Sequence, residues 1–378
     1  MQQRERLSSR LGFILLSAGC AIGCGNVWKF PWMAGQYGGG GFVLIYVLCL
    51  LVLGLPVMVM EFSMGRAAQA SPVGMYQKLQ KPGQKWHAHG YLALFGNICL
   101  MSFYTVVSGW ILYYFYRFVT GQTADLGFVT MISNPGVNML FMVIVVVVGF
   151  AILSFNLQGG LERITKYMMI ALLGLMIVLA VNSATLSGAK EGLTFYLLPD
   201  FSKFSVSTVL GAMGQLFYSM SLAMGIMVTY GSYMKKENHL ESSVRQIELF
   251  DTAIAFLAGL MIVPAAYSSI VNGETKPGPT LMFVTLPEVF KDMPMGSLIG
   301  AIFFLLVFLA ALTSSISLME TIVSIVMDKT KLGRKLACVI VTAFTLIVGI
   351  PSALGFNVWN HISPLGLGDI LSFFDFVS

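Results

Sequence analysis

Charge is almost absent from most of this chain, and its absence comes in long blocks. Residues 11–28, 30–60, 86–116, 126–161, 167–189, 204–234, 252–273, 293–319 and 336–368 contain no Asp, Glu, Lys or Arg. A helix needs about 20 apolar residues to cross a hydrocarbon core about 30 Å thick, and each block supplies about that or more. Membrane barrels use alternating segments of about 10 residues instead. The blocks therefore predict helices, whose backbone hydrogen bonds close within the segment. Charged residues are 10% of the chain and mean hydropathy is +0.81. That excludes a soluble enzyme, a disordered chain and a disulfide-stapled secreted domain. The chain reads as an all-α polytopic membrane protein whose main partner is the lipid bilayer.

Spans are predicted over residues 11–36, 42–64, 90–119, 137–155, 164–185, 206–234, 250–270, 297–327 and 336–350, with 366–378 opening a tenth. The first is too long for a cleavable signal and lacks a small-residue cleavage site. Basic residues in the loops and at the span ends are divided unevenly. One side holds Arg4, Arg6, Arg10, Arg66, Lys78, Lys81, Lys85, Arg163, Lys166, Lys235, Lys236, Arg245, Lys329, Lys331, Arg334 and Lys335. The other holds Arg117, Lys190, Lys203, Lys276 and Lys291. The positive-inside rule then places the N-terminus in the cytoplasm of a multi-pass cell-membrane protein. The net charge of +5 is a topology signal that needs no nucleic acid to explain it. The five cysteines sit in apolar spans without CxxC pairing and read as small core hydrophobes. The four histidines lie in loops or at span ends, and no nucleophile–base arrangement falls within a span, so an enzyme is not expected.

An odd number of spans precedes the sixth, which inverts its direction relative to the first. Five helices followed by five of opposite sense is the inverted-repeat plan of many secondary transporters. The repeats would be 11–185 and an incomplete 206–378. The chemistry lies in the interruptions. Span one carries Ala18-Gly19-Cys20-Ala21-Ile22-Gly23-Cys24-Gly25-Asn26 near mid-membrane. Gly19 and Gly23 could be a GxxxG packing face; with Gly25, Asn26 and Lys29 they point to a broken helix. Such a break frees carbonyls for a cation and N–H groups for a carboxylate. Span six carries Phe217-Tyr218-Ser219-Met220-Ser221-Leu222-Ala223-Met224-Gly225 at similar depth, where the hydroxyls could equally bond back to their own helix. Span eight carries Ala310-Ala311-Leu312-Thr313-Ser314-Ser315. Glu61, Asp251 and Glu320 are intramembrane carboxylates, a rare and informative type. Arg245, Glu248 and Asp251 share three-residue spacing, so Asp251 reads equally as part of a solvated extension of span seven.

The runs Arg10-Leu11-Gly12, Gly25-Asn26-Val27-Trp28-Lys29-Phe30-Pro31, Gly38-Gly39-Gly40-Gly41-Phe42 and Gly54-Leu55-Pro56 to Glu61-Phe62 resemble the neurotransmitter:sodium symporter family. Its prokaryotic branch is the most similar. The resemblance continues through Gly214-Gln215-Leu216-Phe217-Tyr218, Val284-Thr285-Leu286-Pro287 and Ala310 to Ser315, and so covers essentially the whole chain. The family is one of the examples from which the inverted-repeat rule was drawn, so the two are a single argument. It implies a leucine-transporter-type five-plus-five inverted repeat with helices 1 and 6 broken. It also implies Na⁺-coupled import of a small amino acid or amine by alternating access.

By resemblance, one sodium site uses the Ala21 carbonyl, Asn26, Ser219, Asp251 and the substrate carboxylate. The second uses Gly19, Ile22, Ala310, Thr313 and Ser314. Gly23 stands where amine-transporting members place an aspartate. The position offers room and no charge, so the substrate should bring its own carboxylate. Leu100, Tyr218, Ser221, Met224 and Leu318 match the side-chain pocket, implying a neutral hydrophobic or aromatic amino acid. Tyr104 would bind its carboxylate beside Ala21, Cys24, Gly25, Ser219 and Ser314, and with Tyr218 close the outer lid. Lys29 and Asp375 match the outer gate pair. Arg4 and Asp328 match the inner one, near Tyr233, with Leu7 in place of the usual tryptophan. Glu61 would accept bonds from the break in span six.

Animal members hold chloride near the counterparts of Tyr46, Gln215 and Ser219. Here Asp251 would supply that charge, with Ala255 where a bacterial member carries a glutamate, and chloride would not be required. The family has eleven or twelve spans, so most of helix 10 and everything after it are expected to be missing. A non-transporting amino-acid sensor, or a channel-like truncated homologue that keeps the Na⁺ and substrate site, is the alternative of a different class.

Overall fold

The computed structural model describes residues 6–155, 157–186, 189–200, 202, 204–235, 237–271, 279–291 and 293–378. Among these, seven helices are long and apolar enough to cross a membrane, and a pair bent by 57° makes an eighth crossing. The bent pair is span one: Arg10–Ala21, then a π turn Gly25–Lys29 continuing into Phe30–Gln36. Span two is Gly40–Ala68, three is His87–Val119, four is Pro135–Ser154 and five is Leu157–Ala184. Seven is Leu240–Val271, eight is Gly296–Thr330 and nine is Arg334–Leu354. Span six is split into Val206–Ser219 and Ile226–Tyr233, each too short to cross alone. A last helix, Ile370–Val377, occupies the predicted opening of a tenth.

Local chemistry accounts for most boundaries. Ser9 caps span one, its hydroxyl accepting the Gly12 N–H at 2.9 Å. Asn134 caps span four, followed by Pro135 at the first helical position, where a missing N–H costs nothing. Ser205 and Thr208 form a reciprocal capping box on span six. Where glycine is required, it is at the outer turn after span one. Gly38 and Gly39 have φ of 95° and 58°, and a side chain on Gly39 would collide with the Phe195 carbonyl.

Two features depart from the charge pattern; a third, the apolar patch Leu281–Phe290, is read from the sequence as a re-entrant or capping segment on the outer face. Span seven begins at Leu240, well before its charge-free block opens at residue 252, because its first turns carry Glu241, Arg245 and Glu248 while remaining helical. Short helices Pro72–Leu79 and Ala189–Leu197 flank the spans. The apolar patch after span seven forms Leu281–Thr285 and Leu286–Lys291. It caps the bundle through buried Phe283, which stacks on Phe128 at 5.1 Å and meets Tyr114 at 5.1 Å. The Tyr114 hydroxyl donates to the Phe283 carbonyl at 2.9 Å.

A candidate sodium and substrate site between two broken helices

Span one stops at Ala21 because Ile22 turns to extended backbone (φ −78°, ψ 96°), leaving its N–H on the Ala18 carbonyl. Asn26 then closes the gap: its Oδ1 accepts the Gly23 N–H at 3.3 Å and the Ser219 hydroxyl at 3.0 Å. The Cys24 N–H donates to the Tyr104 hydroxyl at 3.3 Å. Gln215 Nε2 reaches across from span six to the Gly25 carbonyl at 2.9 Å. Glycine's low helix propensity explains why the chain unwinds here, and the side chains of neighbouring spans take up the backbone groups it frees.

The break in span six contains three residues with left-handed backbone: Ser221 (φ 51°), Ala223 (φ 65°) and Gly225 (φ 77°). For the two non-glycine residues this costs on the order of 1–3 kcal/mol each and persists only where the surroundings enforce it. Glu61 Oε1 accepts the Ala223 N–H at 2.7 Å, the role expected of it. Asn97 Nδ2 donates to the Met224 carbonyl at 2.7 Å.

Between the breaks, Asn26 Nδ2 donates to Asp251 Oδ1 at 2.7 Å. Asp251 is fully buried, so it is no part of a solvated extension. Glu248, one turn earlier, is 5% exposed; only Arg245 of that triplet is exposed, paired with Glu241. Asp251 Oδ2 has no hydrogen-bond partner among the described residues. An anionic oxygen left unpaired in a bilayer interior is costly. A small hard cation among Asp251, Asn26, Ser219 and Ala21 would relieve it, and oxygen-rich donor sets of this kind suit such ions. The residues present therefore fit Na⁺. The second set is also assembled in part. The Ser314 hydroxyl donates to the Cys20 carbonyl at 3.1 Å and lies 3.5 Å from the Ile22 carbonyl, and the Thr313 hydroxyl donates to the Ala310 carbonyl at 2.9 Å. Gly19 packs toward span five, where an added Cβ would lie 2.9 Å from Thr165 Cγ2.

A cavity of about 240 Å³ adjoins these groups. Its lining includes Ala21, Gly23, Gly25, Leu100, Tyr104, Tyr218, Ser219, Ser221, Met224, Ser314 and Leu318. Cys24 is beside it, through its bond to Tyr104. Cys20, Phe217, Leu222 and Ile226 also line it; nothing in their residue types distinguished them from ordinary span residues. The space at Gly23 is smaller than expected. An added Cβ would sit 2.7 Å from Ser314 Oγ and 2.9 Å from Tyr104 Oη. Two hydroxyls fill the room, and the site there is polar but uncharged.

The gate residues are less uniformly paired. Lys29 Nζ lies 4.1 Å over the Tyr218 ring, a cation–π contact, and its charge also acts on Asp375. Arg4 lies outside the described residues. Asp328 accepts the Ser71 N–H at 2.6 Å. The Tyr233 hydroxyl donates to Glu320 Oε1 at 2.6 Å. Glu320 in turn receives both arms of Arg334, at 3.1 and 2.6 Å. That pair, with Glu320 buried and Arg334 partly so, joins spans eight and nine and was not legible as a pair in the sequence. Leu7, standing where a tryptophan was expected, is 2% exposed and donates its N–H to the Tyr233 carbonyl at 3.2 Å.

Paired broken helices around a buried carboxylate are the plan of a cation-coupled secondary transporter. The family model for the sodium:neurotransmitter symporter family matches residues 4–126 and 118–354. The chain belongs to that family: it is a sodium-dependent membrane transporter and not an enzyme. It is 34% identical over 394 residues to an uncharacterized sodium-dependent transporter of Haemophilus influenzae, covering 100% of this chain and 86% of the relative. The uncharacterized sodium-dependent transporter YhdH of Bacillus subtilis is 35% identical over 372 residues, covering 97% and 82%. Among solved structures, MhsT in complex with L-phenylalanine superposes with a TM-score of 0.89 at 36% identity, covering 99% of this chain and 86% of that one. The fold is thus the all-α leucine-transporter type.

Proposed function

We propose that the chain is a Na⁺-coupled symporter that imports a neutral amino acid, hydrophobic or aromatic, by alternating access, with its N-terminus in the cytoplasm. The observation that carries this reading is the unpaired Asp251 Oδ2, linked through Asn26 and Ser219 to the wall of a cavity that is lined by Gly23 rather than an acid. An amine substrate would need a counter-charge there. A carboxylate substrate instead completes a cation site that already holds one fixed negative charge. The cavity volume of about 240 Å³ is below the roughly 300–1,000 Å³ of drug-sized sites and suits a single amino acid. Its apolar lining residues Leu100, Met224 and Leu318 favour a hydrophobic side chain, and soft Met224 can adapt to its shape. The similarity to MhsT, whose structure holds L-phenylalanine, supports the same class.

The coupling follows from shared ligands. Asn26, Ser219 and Asp251 hold one sodium with the Ala21 carbonyl, and the substrate carboxylate is its remaining ligand. Each species then raises the other's affinity by the same factor, as linkage requires. Ile22, Ala310, Thr313 and Ser314, with Gly19, hold a second sodium that ties span one to span eight. Tyr104 orients the carboxylate; Tyr218, backed by Lys29, covers the site from outside. Below, Leu7 and the Tyr233–Glu320–Arg334 network close the inner side. Because Asp251 supplies the compensating negative charge, chloride is not required.

The test is uptake of labelled leucine or phenylalanine into proteoliposomes. Accumulation above equilibrium under an inward Na⁺ gradient, and none under K⁺, supports symport. Na⁺-dependent binding without accumulation would instead identify a sensor.

A further inference from the structure

Asn97 sits in span three, one helical turn before Leu100, which lines the cavity. Its side chain is fully buried, and both hydrogens of its amide are in use. Nδ2 donates to the Ala93 carbonyl of its own helix at 2.6 Å and to the Met224 carbonyl in the break of span six at 2.7 Å. The first bond fixes the rotamer; the second crosses between spans. Its Oδ1 has no hydrogen-bond partner among the described residues. Burying an amide with one end unpaired is unfavourable in a bilayer, and leucine, of closely similar shape, would fill the same volume without that penalty. What the amide adds is a donor for a carbonyl that the break has released from its helix.

That carbonyl belongs to a residue of the cavity wall. Met224 lines the cavity together with Leu100. One residue earlier, Glu61 accepts the Ala223 N–H. The following residue is confined, since a Cβ on Gly225 would lie 2.6 Å from Pro72 Cγ. Span two therefore holds the backbone just before Met224, and span three holds the Met224 carbonyl itself.

We propose that Asn97 is a positioning residue that sets the side-chain selectivity of the pocket. By holding the Met224 carbonyl it fixes where that wall stands, and so how long a substrate side chain fits before Met224 must move. Asn97 does not itself line the cavity. The selectivity part rests on the amino-acid reading above; the anchoring part does not.

Two measurements on the purified full chain separate them. Asn97→Leu keeps the volume and removes the donor. In hydrogen–deuterium exchange without substrate, peptides covering residues 219–228 should exchange about fivefold faster in the variant, the factor expected from one lost hydrogen bond. Unchanged exchange there overturns the anchoring, whether or not any amino acid binds. In Na⁺, competition by alanine, valine, leucine, methionine, phenylalanine and tryptophan against a labelled substrate should show their spread of affinities narrowing by about fivefold in the variant, on the same one-bond argument. Unchanged ratios, or equal weakening for every side chain, overturn the selectivity role. Asn97→Gln keeps both donors on a longer arm and guards against a Leu variant that fails to fold; it should shift preference toward shorter side chains, and wild-type ratios would count against the proposal. If wild type binds none of these amino acids in Na⁺, the amino-acid reading and the selectivity claim fall together, and exchange alone decides the anchoring.

Discussion

Asp251→Asn is the sharpest perturbation of the cation site, because it changes charge while leaving shape and one hydrogen bond in place. Asparagine Oδ1 can still accept from Asn26 Nδ2, the bond now made at 2.7 Å. The break in span one should therefore keep its geometry. What disappears is the negative charge, and an N–H₂ donor replaces the unpaired Oδ2. Two unit charges about 4 Å apart interact by about 4 kcal/mol at an effective dielectric constant near 20. Part of that returns through the amide oxygen, leaving a net loss of about 3 kcal/mol, or roughly a hundredfold in Na⁺ affinity. A second sign accompanies it. Without Na⁺ the wild-type carboxylate is buried and uncompensated, so the variant should be the more thermally stable of the two in K⁺ and gain less on adding Na⁺. The assay is equilibrium binding of a labelled amino acid across a Na⁺ titration, paired with thermal unfolding in each salt. A half-saturating Na⁺ concentration within about threefold of wild type, far short of the hundredfold worked from the charge, would refute the assignment of Asp251 to the cation.

Gly23→Ala forces a Cβ to within 2.7 Å of Ser314 Oγ and 2.9 Å of Tyr104 Oη. Overpacking of this kind costs about 1–3 kcal/mol, so amino-acid affinity should fall about tenfold or more in direct binding, while an unchanged affinity would show the site is looser than described. Arg334→Gln strands Glu320, which is fully buried. Losing one partner of a buried pair costs about 3–5 kcal/mol, to be seen as a lower thermal midpoint in detergent that Arg334→Gln with Glu320→Gln partly restores. Replacing chloride by gluconate should leave Na⁺-dependent binding intact; its disappearance would overturn the view that Asp251 supplies the compensating charge.

The crossing helices were legible because a bilayer allows so few alternatives: charge-free blocks long enough to span must be helical. The break in span one was legible too, since Gly23, Gly25 and Asn26 within four positions make a poor continuous helix. The start of span seven is not legible, because Glu241 and Arg245 pair with each other on an exposed helical face that composition alone marks as loop. Asp251 could not be separated from that face by spacing, and only the packing of Asn26 against it decided the matter. The room assumed at Gly23 was lost to Ser314 and Tyr104, which come from two other spans. Arg334 looked like one more cytoplasmic cation until span nine placed it on Glu320. Asn97 carried a faint signal, an amide inside a charge-free block, but its partner in the break of span six is 127 residues away. Long-range pairings of this sort depend on tertiary placement, and no local pattern encodes them.

The central claim is that this chain holds sodium and an amino acid at one composite site. The most direct measurement is saturable binding of labelled neutral amino acids to the purified 378-residue chain in Na⁺ and, separately, in K⁺. Saturable binding in Na⁺ alone is the predicted result. Equal binding in both salts, or none from a sample shown to be folded, would contradict it.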